Sequence, residues 1–98
     1  MENEGNARAF RRMRIFGRVQ GVFFRDSATR HGRKLGLIGY AQNLPDGSLA
    51  IVAEGQKAKV DALFEWAKRG PLFARVDRYE FDEIKIKEAI AGFEIKYE

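Results

Sequence analysis

The chain has 98 residues, enough for one domain with a single modest core, and its 45% apolar and 33% charged content is ordinary for a globular protein. The absence of cysteine excludes a disulfide framework, a thiol nucleophile and a cysteine-ligated metal, and fits a cytoplasmic location. Net charge is +4, a mild excess, and no apolar run is long enough to span a bilayer, so no membrane association is expected.

The first residues, MENEGNARA, carry acids where a signal peptide would carry basic residues. Residues 1–9 are expected to form a loose tail before a single domain over 10–98. Arg8, Arg11, Arg12, Arg14 and Arg18 crowd the start of the chain. Such a cluster serves either as solvated strand edges or as an attractor for nucleic acid, anionic lipid or a small anionic substrate.

RMRIFGRV alternates, with Met13, Ile15 and Val19 on one face and Arg14 and Arg18 on the other, and predicts a strand. GVFF follows as a loop. A helix is expected from Phe24 to Leu35, where Ala28, His31, Gly32 and Leu35 recur at three- and four-residue steps. Gly32 inside it costs about 1 kcal/mol relative to alanine, which close packing on a sheet would offset. Gly36 is the expected stop. LIGYAQNLPDGSLAIVAEG predicts a hairpin with arms Ile38–Asn43 and Ser48–Glu54 around the turn at Pro45–Gly47. QKAKVDALFEWAKRGP predicts a second helix with the stripe Val60, Leu63, Phe64 and Ala67, ended by Gly70 and Pro71, and with Trp66 as a partly exposed cover. ARVDRYEFDEIKI predicts a strand whose alternation breaks between Val76 and Tyr79, as a bulge would cause. GFEIKYE alternates Phe93, Ile95 and Tyr97 against Glu94 and Lys96.

This order is β-α-β-β-α-β with a short extra C-terminal strand. It predicts an α+β, ferredoxin-like sandwich: an antiparallel sheet with two helices on one face. The fold does not settle function.

The stretch GRVQGVFFR carries the chemistry. A strand, a glycine turn and a helix start aim several backbone N–H groups at one point, where the helix dipole adds partial positive charge. Gly21 lets an anion approach the backbone, and Arg25 adds a planar fork of donors suited to phosphate oxygens. The lysine and hydroxyl residue of a Walker loop are missing, so this is no ATPase signature. On spacing alone, a plain turn with Arg25 at the surface fits as well. Asn43 ends a strand just before LPDG, where asparagine commonly serves only to form the turn. If the first and third strands are central, the ends of the first and second strands share an edge. Asn43 would then reach a water beside an anion held by residues 20–25. Phe23 and Phe24 are expected as core and loop anchors rather than substrate stackers.

Taken together, GRVQGVFFR, the asparagine of GYAQNLPDGSLAIVAEG eighteen residues after Arg25, and the closing FEIKY resemble the acylphosphatase family over about Arg12 to Glu98. The resemblance implies the ferredoxin-like fold and hydrolysis of the carboxyl–phosphate bond of acyl phosphates, without metal or other cofactor. It implies that Arg25 binds the phosphate with the backbone amides of Gln20, Gly21, Val22, Phe23, Phe24 and Arg25, while Asn43 positions the water. A small acyl phosphate is the implied partner, inorganic phosphate or sulfate would compete, and a monomer that binds no nucleic acid is expected. Three positions depart from the family's pattern: Tyr40 stands where many relatives have tryptophan, Asp26 follows the arginine where an apolar residue is common, and SATRHGRK is a polar first helix.

Two other readings use the same fold. An RNA-binding module of this class would stack bases on aromatics of its central strands, but SLAIVAEG has none and no RNP1 pattern occurs. A relative reduced to a binding module would not need both Arg25 and Asn43. His31 is the obvious alternative base, but it lies roughly 9 Å along the helix from Arg25. Acidic residues such as Asp82 and Glu83 show no metal-ligand spacing.

Overall fold

A computed structural model describes residues 7–83 and 90–97, apart from the side chain at 83. The elements in chain order are β1 (Arg8–Arg18), α1 (Phe24–Lys34), β2 (Ile38–Asn43), β3 (Leu49–Gln56), α2 (Lys57–Ala67), β4 (Arg75–Glu83) and β5 (Phe93–Lys96). Residues 1–6 of the expected tail and the expected continuation of β4 over 84–86 lie outside the described residues. Arg8 and Ala9, assigned to the tail by sequence, already pair with Gln56 and Gly55 of β3.

The sheet order is β4-β1-β3-β2-β5. Strand β1 pairs antiparallel with β3 and β4, and β2 pairs antiparallel with β3. The last strand departs from the expected all-antiparallel sheet, because β5 runs parallel to β2. Period-two alternation tells which face a residue occupies, not which neighbour a strand takes or in which sense. Here the chain leaves β4 at one edge of the sheet and joins β2 at the opposite edge. The bulge expected in β4 is present: Phe16 faces Arg78 and the next residue, Gly17, faces Val76, which leaves Asp77 unopposed.

Both helices pack on one face. Met13 and Ile15 of β1, Leu49, Ile51 and Ala53 of β3, and Ala41 of β2 are buried there beneath Phe24 and Ala28 of α1 and Val60, Leu63, Phe64 and Ala67 of α2. Burying a side chain the size of Leu63 or Phe64 is worth about 1.5–3 kcal/mol. On the opposite face the arginines of β1 meet carboxylates across the strands, Arg12 with Asp82 at 2.9 Å and Arg14 with Glu80 at 2.8 Å. These pairs are half-exposed and worth about 0–1 kcal/mol each. They make most of the basic cluster a solvated sheet face.

The polar helix α1 docks by close approach. A Cβ at Gly32 would stand 2.4 Å from Cδ2 of Phe93, so the glycine lets the helix backbone rest on that ring. Arg33 Nε donates to Phe93 O at 2.8 Å alongside. The helix ends as its glycine predicts. Gly36, at φ 73°, donates its N–H to Arg33 O, and Leu37 N–H donates to Gly32 O. This is a Schellman closure.

Candidate active site

Strands β1 and β2 both run antiparallel to β3, so they point the same way and end at one edge. Ile15 and Asn43 flank Leu49 from its two sides. The loop leaving Arg18 and the residue ending β2 are therefore one strand apart. Gln20 closes the gap: its Nε2 donates to Leu44 O and to Ser48 O, both at 2.9 Å. The turn it grips is itself fixed. Leu44 N–H donates to Ser48 O, Gly47 N–H donates to Leu44 O, and Asp46 Oδ1 accepts from Ser48 N–H. The bonds from the Ser48 hydroxyl and backbone hold the Asp46 carboxyl below its ordinary range.

The loop itself turns through Gly21 at φ 75° and Phe23 at φ 63° before α1 begins at Phe24. No side chain caps α1. The first bond into the helix is donated by Ser27 N–H to Phe23 O at 3.0 Å. The amides of residues 24–26 precede any intrahelical acceptor. Several N–H groups, the positive end of the helix dipole and a left-handed turn thus converge on one spot, which suits an anion. Phe24 anchors the arrangement in the core with its ring edge-on to Trp66 at 5.5 Å, and Thr29 Oγ1 donates to Arg25 O at 2.7 Å.

A cleft of about 340 Å³ opens over this loop, lined by Val19, Gly21, Phe23, Phe24, Arg25, Asp26, Asn43, Ile95 and Tyr97. Arg25 is half-buried in it, with its guanidinium carbon 5.0 Å from the Tyr97 ring centroid. Among the described residues no carboxylate pairs with Arg25. Asp26, the departure nearest the loop, turns to Arg30 at 3.0 Å, one helical turn on. Its charge is largely balanced, and it sits in the first turn, where the dipole favours an anion. Asn43 lines the same cleft, and its Oδ1 is buried without a hydrogen-bond partner among the described residues. An unpaired buried acceptor costs about 1–3 kcal/mol.

Every residue singled out for the anion loop lies in one segment, and Gly21, Phe23, Phe24 and Arg25 share the cleft with Asn43. One expectation fails. Phe24 is a core anchor, but Phe23 is 74% exposed and anchors nothing. Its left-handed backbone swings the ring outward, a conformation that alternation and composition do not reveal. His31 is not a cleft residue. It stacks on Trp66 with ring centroids 4.3 Å apart, and burial, then Lys34 and Arg30, push its pKa below the ordinary value. Two contributors escaped the sequence reading. The Gln20 side chain acts through carbonyls 24 and 28 residues away, and no local pattern marks it. Tyr97 was seen as a strand position, and its place beside Arg25 depends on β5 joining β2.

Fold and site together define a ferredoxin-like α+β domain with an uncapped helix start, an arginine and an asparagine converging on one cleft. Comparison with known proteins narrows this class. The family model for acylphosphatase matches residues 11–95. An acylphosphatase from Rubrobacter xylanophilus is 42% identical over 97 residues, covering 97% of this chain and 88% of that protein. One from Thermococcus kodakarensis is 48% identical over 83 residues, covering 85% and 90%. The crystal structure of acylphosphatase from Bacillus subtilis superposes with a TM-score of 0.82 at 33% identity, covering 90% of this chain and 98% of that one. The chain belongs to the acylphosphatase family.

Proposed function

We propose that this protein hydrolyses acyl phosphates to a carboxylate and inorganic phosphate, with the phosphoryl group held by the amides of residues 20–25 and the Arg25 guanidinium. The observation that carries this reading is the shared cleft. An arginine with no carboxylate partner among the described residues and an asparagine whose buried Oδ1 has no partner among them line one cleft over an uncapped helix start. In the reaction, a water oxygen bonds to phosphorus as the bond to the acyl oxygen breaks, and that oxygen keeps the electron pair as carboxylate. A carboxylate is stable at neutral pH, so the leaving group needs no proton. The transition state is loose, with charge on the peripheral phosphoryl oxygens, and catalysis is mainly positioning and electrostatic stabilisation. The loop amides and Arg25 meet that charge. Asn43 Oδ1 accepts one hydrogen of the water, and a phosphoryl oxygen takes the proton released. His31, engaged with Trp66, has no part in this scheme.

Inorganic phosphate and sulfate are proposed as competitive inhibitors, since they satisfy the same loop. A cytoplasmic monomer is the proposed form; the cysteine-free composition supports the location, and a core closed within one chain supports the monomer.

The test is hydrolysis of benzoyl phosphate with EDTA present. Wild type is expected to turn over. Arg25→Ala should lose activity chiefly through weaker phosphate binding. Asn43→Ala should keep phosphate inhibition while kcat falls about 10²- to 10³-fold, the scale of one lost positioning or oxyanion contact. A folded wild type without turnover would sink the proposal. So would an Asn43→Ala variant that binds phosphate far more weakly than wild type.

A further inference from the structure

Two aromatic rings stand uncovered at the mouth of the cleft. Phe23 is 74% exposed and Tyr97 is 71% exposed, and both line the cleft beside Arg25. Phe23 sits at φ 63°, a conformation that favours glycine or asparagine and is costly for a bulky residue. The left-handed turn that forms the anion loop also leaves this apolar ring in solvent, where it adds nothing to the core. Such outliers gather at ligand sites, where the strain serves function. Charge is equally informative. Among the described residues lining the cleft, Arg25 is the one cation, and the phosphoryl group uses it. The other charged residue there is Asp26, an anion. Among the described residues lining the cleft, none is suited to a second negative group on the substrate.

Phe23 and Tyr97 line the same cleft as Arg25 and Asn43, so the acyl part of a phosphate held by Arg25 has these two exposed rings beside it. We propose that Phe23 and Tyr97 form the acyl-group subsite and select acyl phosphates with an apolar or aromatic acyl part over those carrying a second anion. This rests on the acyl phosphate hydrolysis proposed above.

The experiment compares kcat/KM for benzoyl, acetyl and succinyl phosphate in wild type, Phe23→Ala and Phe23→Tyr. Wild type should prefer benzoyl to succinyl phosphate. Phe23→Ala should lower the benzoyl-to-acetyl ratio about threefold to tenfold, the scale of one aromatic pair, and Phe23→Tyr should restore it. The ratio is read on folded enzyme alone, so partial unfolding cannot mimic its change. An unchanged ratio in Phe23→Ala, or faster turnover of succinyl than of benzoyl phosphate by wild type, overturns the subsite while leaving the hydrolase intact. Wild type that turns over none of the three overturns the hydrolase, and the subsite with it.

Discussion

Replacing Gly32 by alanine should destabilise the protein, although the change favours an isolated helix. In a helix interior, alanine is better than glycine by about 1 kcal/mol. The new methyl would lie 2.4, 2.5 and 2.7 Å from Cδ2, Cγ and Cε2 of Phe93. Carbon pairs are comfortable at about 3.5–4.0 Å, so more than 1 Å of room must be made against the flat of a ring. Phe93 has little freedom to yield: it is 2% exposed, and its carbonyl is held by Arg33. Overpacking of this kind costs about 1–3 kcal/mol, and contact with three ring atoms places it toward the upper end. A net loss of about 1–2 kcal/mol is expected, lowering Tm by roughly 4–8 °C per kcal/mol at this chain length. Urea or thermal unfolding followed by circular dichroism measures it. A second variant isolates the cause. On a Phe93→Leu background, where the ring edge is gone, Gly32→Ala should become neutral or stabilising, a sign change read as coupling in a double-mutant cycle. Gly32→Ala as stable as wild type or more so, with Phe93 intact, would refute the close-packing argument.

Gln20→Met keeps the length of the side chain and removes the donor to Leu44 O and Ser48 O. Two lost hydrogen bonds should cost about 1–3 kcal/mol in unfolding experiments. Because the brace sets the separation of loop and Asn43, kcat should fall well below the melting range while the inhibition constant for phosphate moves less; equal changes in the two would argue against a positioning role. The lowered pKa of His31 means that folding favours its neutral form. The unfolded chain then binds more protons below the ordinary value of 6.5, so stability is full above that pH and declines as pH falls through the lower folded value. The slope should become shallower in His31→Phe, as measured by urea midpoints from pH 7.5 to 5. Trp66 is the sole tryptophan and packs on His31, so its fluorescence should titrate with a midpoint below 6.5. An unchanged signal would mean the rings are not in contact in solution.

The arginine cluster at the start of the chain shows how pairing decides the meaning of charge. By composition a solvated strand edge is the expected reading, with an anion-attracting surface as the alternative. In the sheet, Arg12 and Arg14 of β1 lie opposite Asp82 and Glu80 of β4, so their charge is spent across neighbouring strands. That register joins residues about seventy positions apart, and no local pattern reports it.

Local rules determined much of this protein. Alternation marked the strands, the Val60–Ala67 stripe marked α2, and glycine marked the end of α1, because each follows from how a short segment meets one apolar face or one required φ. The pairing of the GRVQGVFFR loop with Asn43 was legible for a similar reason: a βαββ order with central first and third strands leaves few ways to place their ends. Only the tertiary structure decided the rest. The sense of β5 depends on where the chain crosses the sheet. The outward swing of Phe23 depends on a left-handed turn that side-chain type disfavours. The contact of Tyr97 with Arg25, the grip of Gln20 on two carbonyls and the seat of Gly32 on Phe93 each join segments distant in sequence. Such contacts are set by the summed packing of the whole sheet, and periodicity along one strand or helix carries no record of them.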